Sequence, residues 1–530
     1  PQTGASVPRS GFLVSGTATD DIGVTSVVAT VDDPLLGRSA TLTLGVAPDG
    51  AWSFAVLSGQ VTEGRTATVT VVARDAKNNQ ASAAVQLQVT GVDFLAHHVI
   101  NRLTFGSTPE LLFEVQRVGV DAFIDQQLAP ATIDDGGLAA VLPAAAPTTK
   151  AELQRQALLR MIYSRRQLLE VLTNFWDNHF NTDINKTQVV AYEVAENALF
   201  RSRALGRFRD LLGASAKSPA MLVYLDQAAS QRGMPNESYP RELMELHVLG
   251  VDGGYTQTDV EQVARAFTGW TVQNGQFVFD PANHDTGQKV VLGQTLAAGR
   301  GIEDGEQVLD ILAAHPSAAR FLCTKLARLL VSDTPPDSLV ERCAAEYLAT
   351  DGQIAAVVRI LVRSPEFAAP SAFRTKVRTP LEMAVFWPRL LGATTDASGL
   401  VTPIVDMGMR LFENPVPTGW SETGDDWVNS NLLLQRIRHL NRLVRNQITG
   451  SSVDLRAFCA RNRQTTADGI AGFLLQQLFH SDFSPLEYDT AVGVLTDDGT
   501  RPFSLNQTDA DARLRQLFAT VLSFPGGQYQ

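Results

Sequence analysis

The hydrophobic period of this chain changes once, near Val92. Before that point short runs of β-branched and aliphatic residues are separated by turn residues; after it apolar residues recur at helical spacing almost to the end. A strand-period segment and a helix-period segment cannot share one repeating architecture. Residues 1–91 are therefore expected to form a sheet structure, and residues 92–530 a helical domain. The second part is large for one core, so a subdomain division is expected near 370–400.

In the first part, the runs Val24–Val31, Ala40–Leu44, Trp52–Val56, Ala67–Ala73 and Ala81–Val89 are separated by turn residues. Their spacing is close to the ~8–12 residues of a sandwich or barrel. From Thr66 to Ala73 the threonines alternate with Ala67, Val69 and Val71, a half-buried pattern. Trp52 is the expected aromatic anchor. The stretches Ser15 to Val24, Gly50 to Phe54 and Val72 to Asn79 resemble bacterial immunoglobulin-like modules of secreted proteins. That resemblance implies an exported protein with a spacer or adhesion role. Asp20, Asp21 and Asp75 have two readings. Carboxylates suit calcium, a hard cation; Asp is equally at home in turns, bonded to its own backbone.

The second part opens with three short amphipathic helices, Phe94–Leu103, Pro109–Val118 and Asp121–Leu128. Pro109 follows Ser107 and Thr108, good N-caps, and suits a first turn. A loop is expected over 130–149, then long helices. One β insert interrupts them. Asn274-Gly275 between Thr271–Val272 and Phe277–Phe279 is a hairpin signal, and it leads to a polar loop from His284 to Lys289 and then Val290–Leu292. The fold class expected is mainly α: a large multi-helical domain with a small β-hairpin insert, preceded by an N-terminal immunoglobulin-like β-sandwich.

Charge and motif content exclude several functions. Lys plus Arg total 44 against 56 Asp plus Glu, a net charge of -12. Such a chain is not expected to bind nucleic acid, because counterion release needs clustered basic charge. No stretch approaches the ~18 consecutive apolar residues of a membrane helix, so no transmembrane segment is expected. Three cysteines cannot build a disulfide framework. There is no CxxC, HExxH, phosphate loop or GxSxG elbow. The chain starts at Pro1 and is read as processed or trimmed.

Four segments carry candidate chemistry. Ser164 and Gln167 have capping-box spacing, and beyond them Leu168, Leu172, Phe175 and His179 share one helix face, flanked by Trp176. Glu170, Asn174 and Asp177 occupy the opposite face. His179 is either a core histidine bonded to a carbonyl or a base or metal ligand in an apolar pocket. Pro240 and Gly250 bracket a helix holding Arg241, Glu242, Glu245 and His247. This helix is apolar nearly all round, so its carboxylates need partners; Arg241 could pair with Glu245 at i, i+4. On a regular helix His247 lies ~140° from Glu242 and cannot converge with it. Gly253-Gly254-Tyr255 leads to a capping box at Thr258 and Glu261, a loop entering a helix that ends near Trp270. Finally, His284, Asp285 and Lys289 place a metal ligand or base, a carboxylate and a cation on one glycine-containing loop.

These motifs also carry a family resemblance. Leu103 to Pro109, Phe175-Trp-Asp-Asn-His-Phe180, Leu205 to Leu212, Pro219 to Asp226, Tyr239 to Gly250, Gly253 to Thr256, Phe267 to Trp270 and His284 to Lys289 resemble the large bacterial family called domain of unknown function 1800. Phe321–Val331, Ser364 to Phe367, Lys376 to Glu382 and Pro417-Thr-Gly-Trp420 continue the match in order. One position often histidine in that family is Asp177 here, which removes a candidate metal ligand. The resemblance implies export (periplasmic, cell-surface or secreted) and co-occurrence with an exported phosphatase/sulfatase-like protein. It implies no established reaction. In an exported protein Cys323 and Cys343 could pair, leaving Cys459 single; the other reading is three buried thiols.

Two functions are consistent with these residues. The first is an exported hydrolase of an extracellular or cell-envelope polymer, by acid/base or metal-assisted chemistry. Glu242, Glu245, His247, His179, Arg241 and Asp285 would carry the reaction, and Trp176, Tyr255, Trp270 and Lys289 would bind substrate. A divalent metal is the candidate cofactor, with His179, His284 and Glu242 as ligands, besides calcium at Asp20 and Asp75. The second is a non-catalytic surface or assembly protein whose polar motifs lock a helical core.

Overall fold

Alternate side chains of the strand Thr66–Asp75 are buried from Ala67 through Val71, as the threonine alternation predicts. In the computed structural model, which describes residues 3, 5–8, 11–33, 38–44, 50–57, 66–90, 94–480 and 482–530, this strand is one of seven near the N-terminus. They are β1 (Ser6–Pro8), β2 (Gly11–Thr17), β3 (Val24–Asp33), β4 (Arg38–Leu44), β5 (Ala51–Leu57), β6 (Thr66–Asp75) and β7 (Gln80–Thr90). A five-stranded sheet has the order β1-β7-β6-β3-β4, and β2 pairs with β5 separately. Only β1 against β7 is parallel. Val14, Phe54 and Val56 of the β2–β5 pair share one core with Val27, Val31, Val69 and Leu87 of the larger sheet. Each such buried side chain stabilises by about 1.5–3 kcal/mol. Phe54, 8% exposed, is the buried aromatic, while Trp52 is only partly covered and stacks on it.

At Asp20 and Asp75, the two calcium candidates, the carboxylates bond within their own turns. Asp20 accepts the Ile22 amide at 2.9 Å. Asp75 accepts the Lys77 and Asn79 amides, both at 2.8 Å, and the Asn79 side chain at 2.7 Å. Both are turn residues whose carboxylates serve their own backbone.

The chain forms two compact units: Pro1–His97 with Asp454–Gly527, and His98–Val453 with Gln528–Gln530. The boundary expected at 91/92 lies outside the described residues. Besides the strands, the first unit has helices Leu455–Arg461, Ala467–Phe479, Pro485–Thr496 and Ala510–Leu522. The second is mainly helical. Its helix Pro109–Val118 starts as expected, with the Thr108 side chain accepting the Leu111 amide. Strands β8 (Trp270–Gln273) and β9 (Gln276–Phe279) make the expected hairpin, with Asn274 and Gly275 at φ +50° and +74°. A second hairpin, β10 (Lys289–Val291) with β11 (Gln294–Leu296), follows.

Three local expectations shift. Ser164 bonds Asp135 at 2.8 Å and closes the preceding helix, so the next one runs from Gln167 to His179 without the expected capping box. The box near the double glycine uses Thr256 and Asp259, two residues early. The helix at Pro240 is not regular. It is α over Ser238–Glu242 and π over Leu243–Val248, with the Leu249 amide bonded to Met244 O at 2.8 Å. Cys323 and Cys343 form a disulfide, Cα atoms 5.8 Å apart, joining helices Pro316–Leu330 and Asp337–Ala349; Cys459 is free and buried. Among the described residues no helix is long and apolar enough to cross a membrane.

Candidate functional site

The helix Val190–Arg203 turns Glu193, Glu196, Asn197 and Phe200 inward, at i, i+3, i+4 and i+7. Those are core positions on a helix, and three of them are polar. Glu193 and Glu196 are 3% and 2% exposed. The Thr182 hydroxyl lies 2.9 Å from Glu193 Oε2 and 2.8 Å from Glu196 Oε2, and Thr187 donates to Glu193 Oε1 at 3.2 Å. Asp177 comes from the helix Gln167–His179. Asn197 Nδ2 donates to it at 3.4 Å and accepts Arg201 on its Oδ1 at 3.0 Å. Arg201 itself is bound through two nitrogens to both oxygens of buried Glu170.

Asp177, Thr182, Glu193, Asn197 and Arg201 line a cavity of about 120 Å³. Its remaining walls include Phe175, Asn178, Asn181, Lys376, Glu382, Trp420, Glu422 and Trp427. Two of the sequence motifs meet here. Asn178 accepts the Trp420 amide at 2.6 Å and donates to the Trp420 carbonyl at 2.9 Å. Asn181 donates to the carbonyls of Asn414 and Val416. The Trp420 and Trp427 rings are 6.2 Å apart, and each indole N–H is bonded to a carbonyl, of Arg410 and Ser421 respectively.

Burial sets the electrostatics. It pushes the Asp177 carboxyl up to about 7, against the pull of Asn197 and Arg201. It pushes Glu193 to about 7 as well, opposed by its hydroxyl partners and reinforced by the charges of Asp177 and Asp183. Glu196 is raised well above the carboxylate range by burial and then by Glu193. Carboxyl groups that titrate near neutrality beside a cavity can give or take a proton there.

The residues given catalytic, substrate-binding or transition-metal roles from sequence separate into three places, and none of them lines this cavity, although Asp177 and Trp420 of the same motifs do. His179 and His247 sit in an aromatic core, 2% and 1% exposed, rings 6.1 Å apart, among Phe175, Trp176 and Phe180. His179 Nε2 donates to the His247 carbonyl at 2.8 Å. Burial holds His179 well below its ordinary pKa and His247 at about 3, too low for a base at neutral pH. Trp176 is fully buried, its indole bonded to Ala204 O at 3.0 Å. Arg241, Glu242, Glu245 and Tyr255 stay half-buried on a second patch. Arg241 pairs at 3.1 Å with Glu237, one turn before it, and not with Glu245, one turn after it; burial, then Glu245, raises the Glu242 pKa.

The third place is the His284 loop, which is a closed network. His284 Nδ1 bonds Thr268 O at 2.8 Å, and Nε2 is 3.4 Å from Asp304. Lys289 pairs with Asp304 at 2.7 Å, both side chains almost inaccessible, and Arg300 meets the other Asp304 oxygen at 3.2 Å. Asp285 is held by Arg265 at 2.8 Å and 3.1 Å. Trp270 is fully buried against Phe267 and Phe277. Among the described residues no group of three His, Cys, Asp or Glu could hold a metal ion. Of the candidate metal set His179, His284 and Glu242, both imidazoles bond carbonyls, and among the described residues the three are not grouped as ligands.

No curated protein and no solved structure matches the chain. A family model described as a protein of unknown function (DUF1800) matches residues 98–528, so the chain belongs to that family.

Proposed function

We propose that the cavity beside Asp177 and Glu193 is an acid–base site, and that the chain is an exported hydrolase of an extracellular or cell-envelope polymer. One observation carries this reading: two carboxyl groups, Asp177 and Glu193, line the same cavity and both titrate near 7. Near neutrality one of them can hold a proton while the other is ionised, the division of labour that acid–base hydrolysis requires. The disulfide between Cys323 and Cys343 supports export, since such bonds persist in oxidising compartments. The strands near the N-terminus would serve as an immunoglobulin-like spacer. The test is hydrolysis of cell-envelope glycans and peptides at pH 7 by the purified chain and by Asp177→Asn and Glu193→Gln. Turnover should fall at least about a hundredfold in each variant, as for loss of a general acid or base. Full turnover in both variants would sink the proposal.

A second reading is a non-catalytic assembly protein working with an exported phosphatase/sulfatase-like partner. It is favoured by the His284–Asp304–Lys289 network, where ionisable residues are fully committed to one another. Absence of hydrolysis by the wild-type chain, together with co-purification of such a partner, would favour it.

A further inference from the structure

We propose that this cavity receives a compact organic cation, a protonated amine seated against Asp177 and Glu193 with the Trp420–Trp427 indoles as its apolar wall. The inference rests on the acid–base reading of the cavity and names its ligand class.

The charges on the wall do not balance. Its two basic side chains are committed elsewhere: Arg201 to Glu170, and Lys376 to Asp333. Two of its acids are also matched. Glu422 is paired with Lys325 at 2.7 Å, and Glu382 caps Thr379 and accepts Gln530. Asp177 and Glu193 have no basic residue within ion-pair distance among the described residues, nor has Glu196 on the same Thr182 hydroxyl. Arg201 reaches Asp177 only through Asn197. The other charge acting on the group, Asp183, is negative.

Glu196 stands behind Glu193, 2% exposed and outside the cavity wall, with the Thr182 and Ser218 hydroxyls as its partners. Buried carboxylates are seldom left without compensation. A ligand bearing positive charge would supply it; an anion would add repulsion, and a neutral alcohol would leave the charge uncancelled. Among the described residues no set of three His, Cys, Asp or Glu ligands is assembled for an inorganic ion. Aromatic walls favour an organic ammonium, whose charge is attracted by the ring faces while its carbon frame packs on them. The cavity has room for a group of several non-hydrogen atoms.

The test is calorimetric titration of the full chain at pH 8 with three probes of matched size: cyclohexylammonium, cyclohexanol and cyclohexanecarboxylate. The ammonium should bind at least ten times more tightly than the alcohol, and the carboxylate should not bind. Asp177→Asn and Glu193→Gln should each weaken ammonium binding about tenfold while still unfolding cooperatively. Equal binding of alcohol and ammonium, binding of the carboxylate, or no binding of any probe overturns the inference. So does stoichiometric magnesium or calcium binding that excludes the ammonium. The two proposals fail separately. Ammonium selectivity without turnover removes only the hydrolase, and turnover without ammonium selectivity removes only the cation.

Discussion

Thr182 Oγ1 lies 2.8 Å from Glu196 Oε2. The same hydroxyl is 2.9 Å from Glu193 Oε2, and a hydroxyl has one proton to donate. One proton cannot fully serve two ionised carboxylates, in keeping with the raised pKa of both. Thr182→Val removes the shared atom and leaves two buried carboxyl groups short of a partner. It should destabilise the chain by about 1–3 kcal/mol. Urea unfolding at pH 6 measures this, and a change below about 0.5 kcal/mol would mean that the hydroxyl does not bridge the pair.

Asp177→Asn should do the opposite at high pH. The folded-state pKa of Asp177 is raised above its ordinary value, to about 7. A raised pKa gives a contribution fully present below the unfolded pKa of about 4 and lost as pH rises through about 7. The buried histidines, lowered instead, act with the opposite sign, so only the difference between wild type and variant isolates Asp177. That difference should be small near pH 4, grow to about pH 7 and level off above it, the variant then being more stable by about 2 kcal/mol or more. Unfolding curves from pH 4 to 9 decide it. A difference independent of pH would show that Asp177 does not titrate in that window.

Asp177 shows where the sequence was legible and where it was not. The stripe Leu168, Leu172, Phe175 and His179 was readable because apolar spacing reports burial directly. It placed Glu170 and Asp177 on the opposite face and said nothing of what covers them. Glu170 is in fact buried, its charge met by Arg201, 31 residues later. A helix buried on two faces looks amphipathic when the second face is satisfied by a distant ion pair. Glu193 and Glu196 escaped notice similarly, although polar residues standing at i, i+3 and i+4 beside Phe200 were a usable signal. The hairpin at Asn274-Gly275 was readable because its turn chemistry is local. The π-helical turn after Glu242 was not, because nothing in its local composition distinguishes i→i+5 bonding from i→i+4.

The His284 loop should depend on Asp304 far more than on Asp285. Asp304 meets Lys289 where neither side chain is accessible, whereas Arg265 and Asp285 are about a quarter exposed. Asp304→Ala leaves a buried ammonium without its counter-charge and should cost about 3–5 kcal/mol. Asp285→Ala breaks a pair open to solvent and should cost about 1 kcal/mol. Equal costs in urea unfolding would show that the buried network is not what holds the loop.

Gly419 has φ +73°, and a Cβ there would run into the backbone carbonyl of Asn178. The next residue donates its amide to the Asn178 side chain, so the close approach and the clamp on Trp420 belong together. Gly293 offers the control: it has φ +77° with nothing within 4 Å of a built Cβ. Gly293→Ala should cost about 1 kcal/mol, the left-handed backbone penalty alone. Gly419→Ala adds the clash, so it should cost at least about 2 kcal/mol and loosen the indole from the cavity. Tryptophan emission should shift in Gly419→Ala and not in Gly293→Ala. Matching costs and unchanged emission in both would mean that the turn at Gly419 is not what seats Trp420.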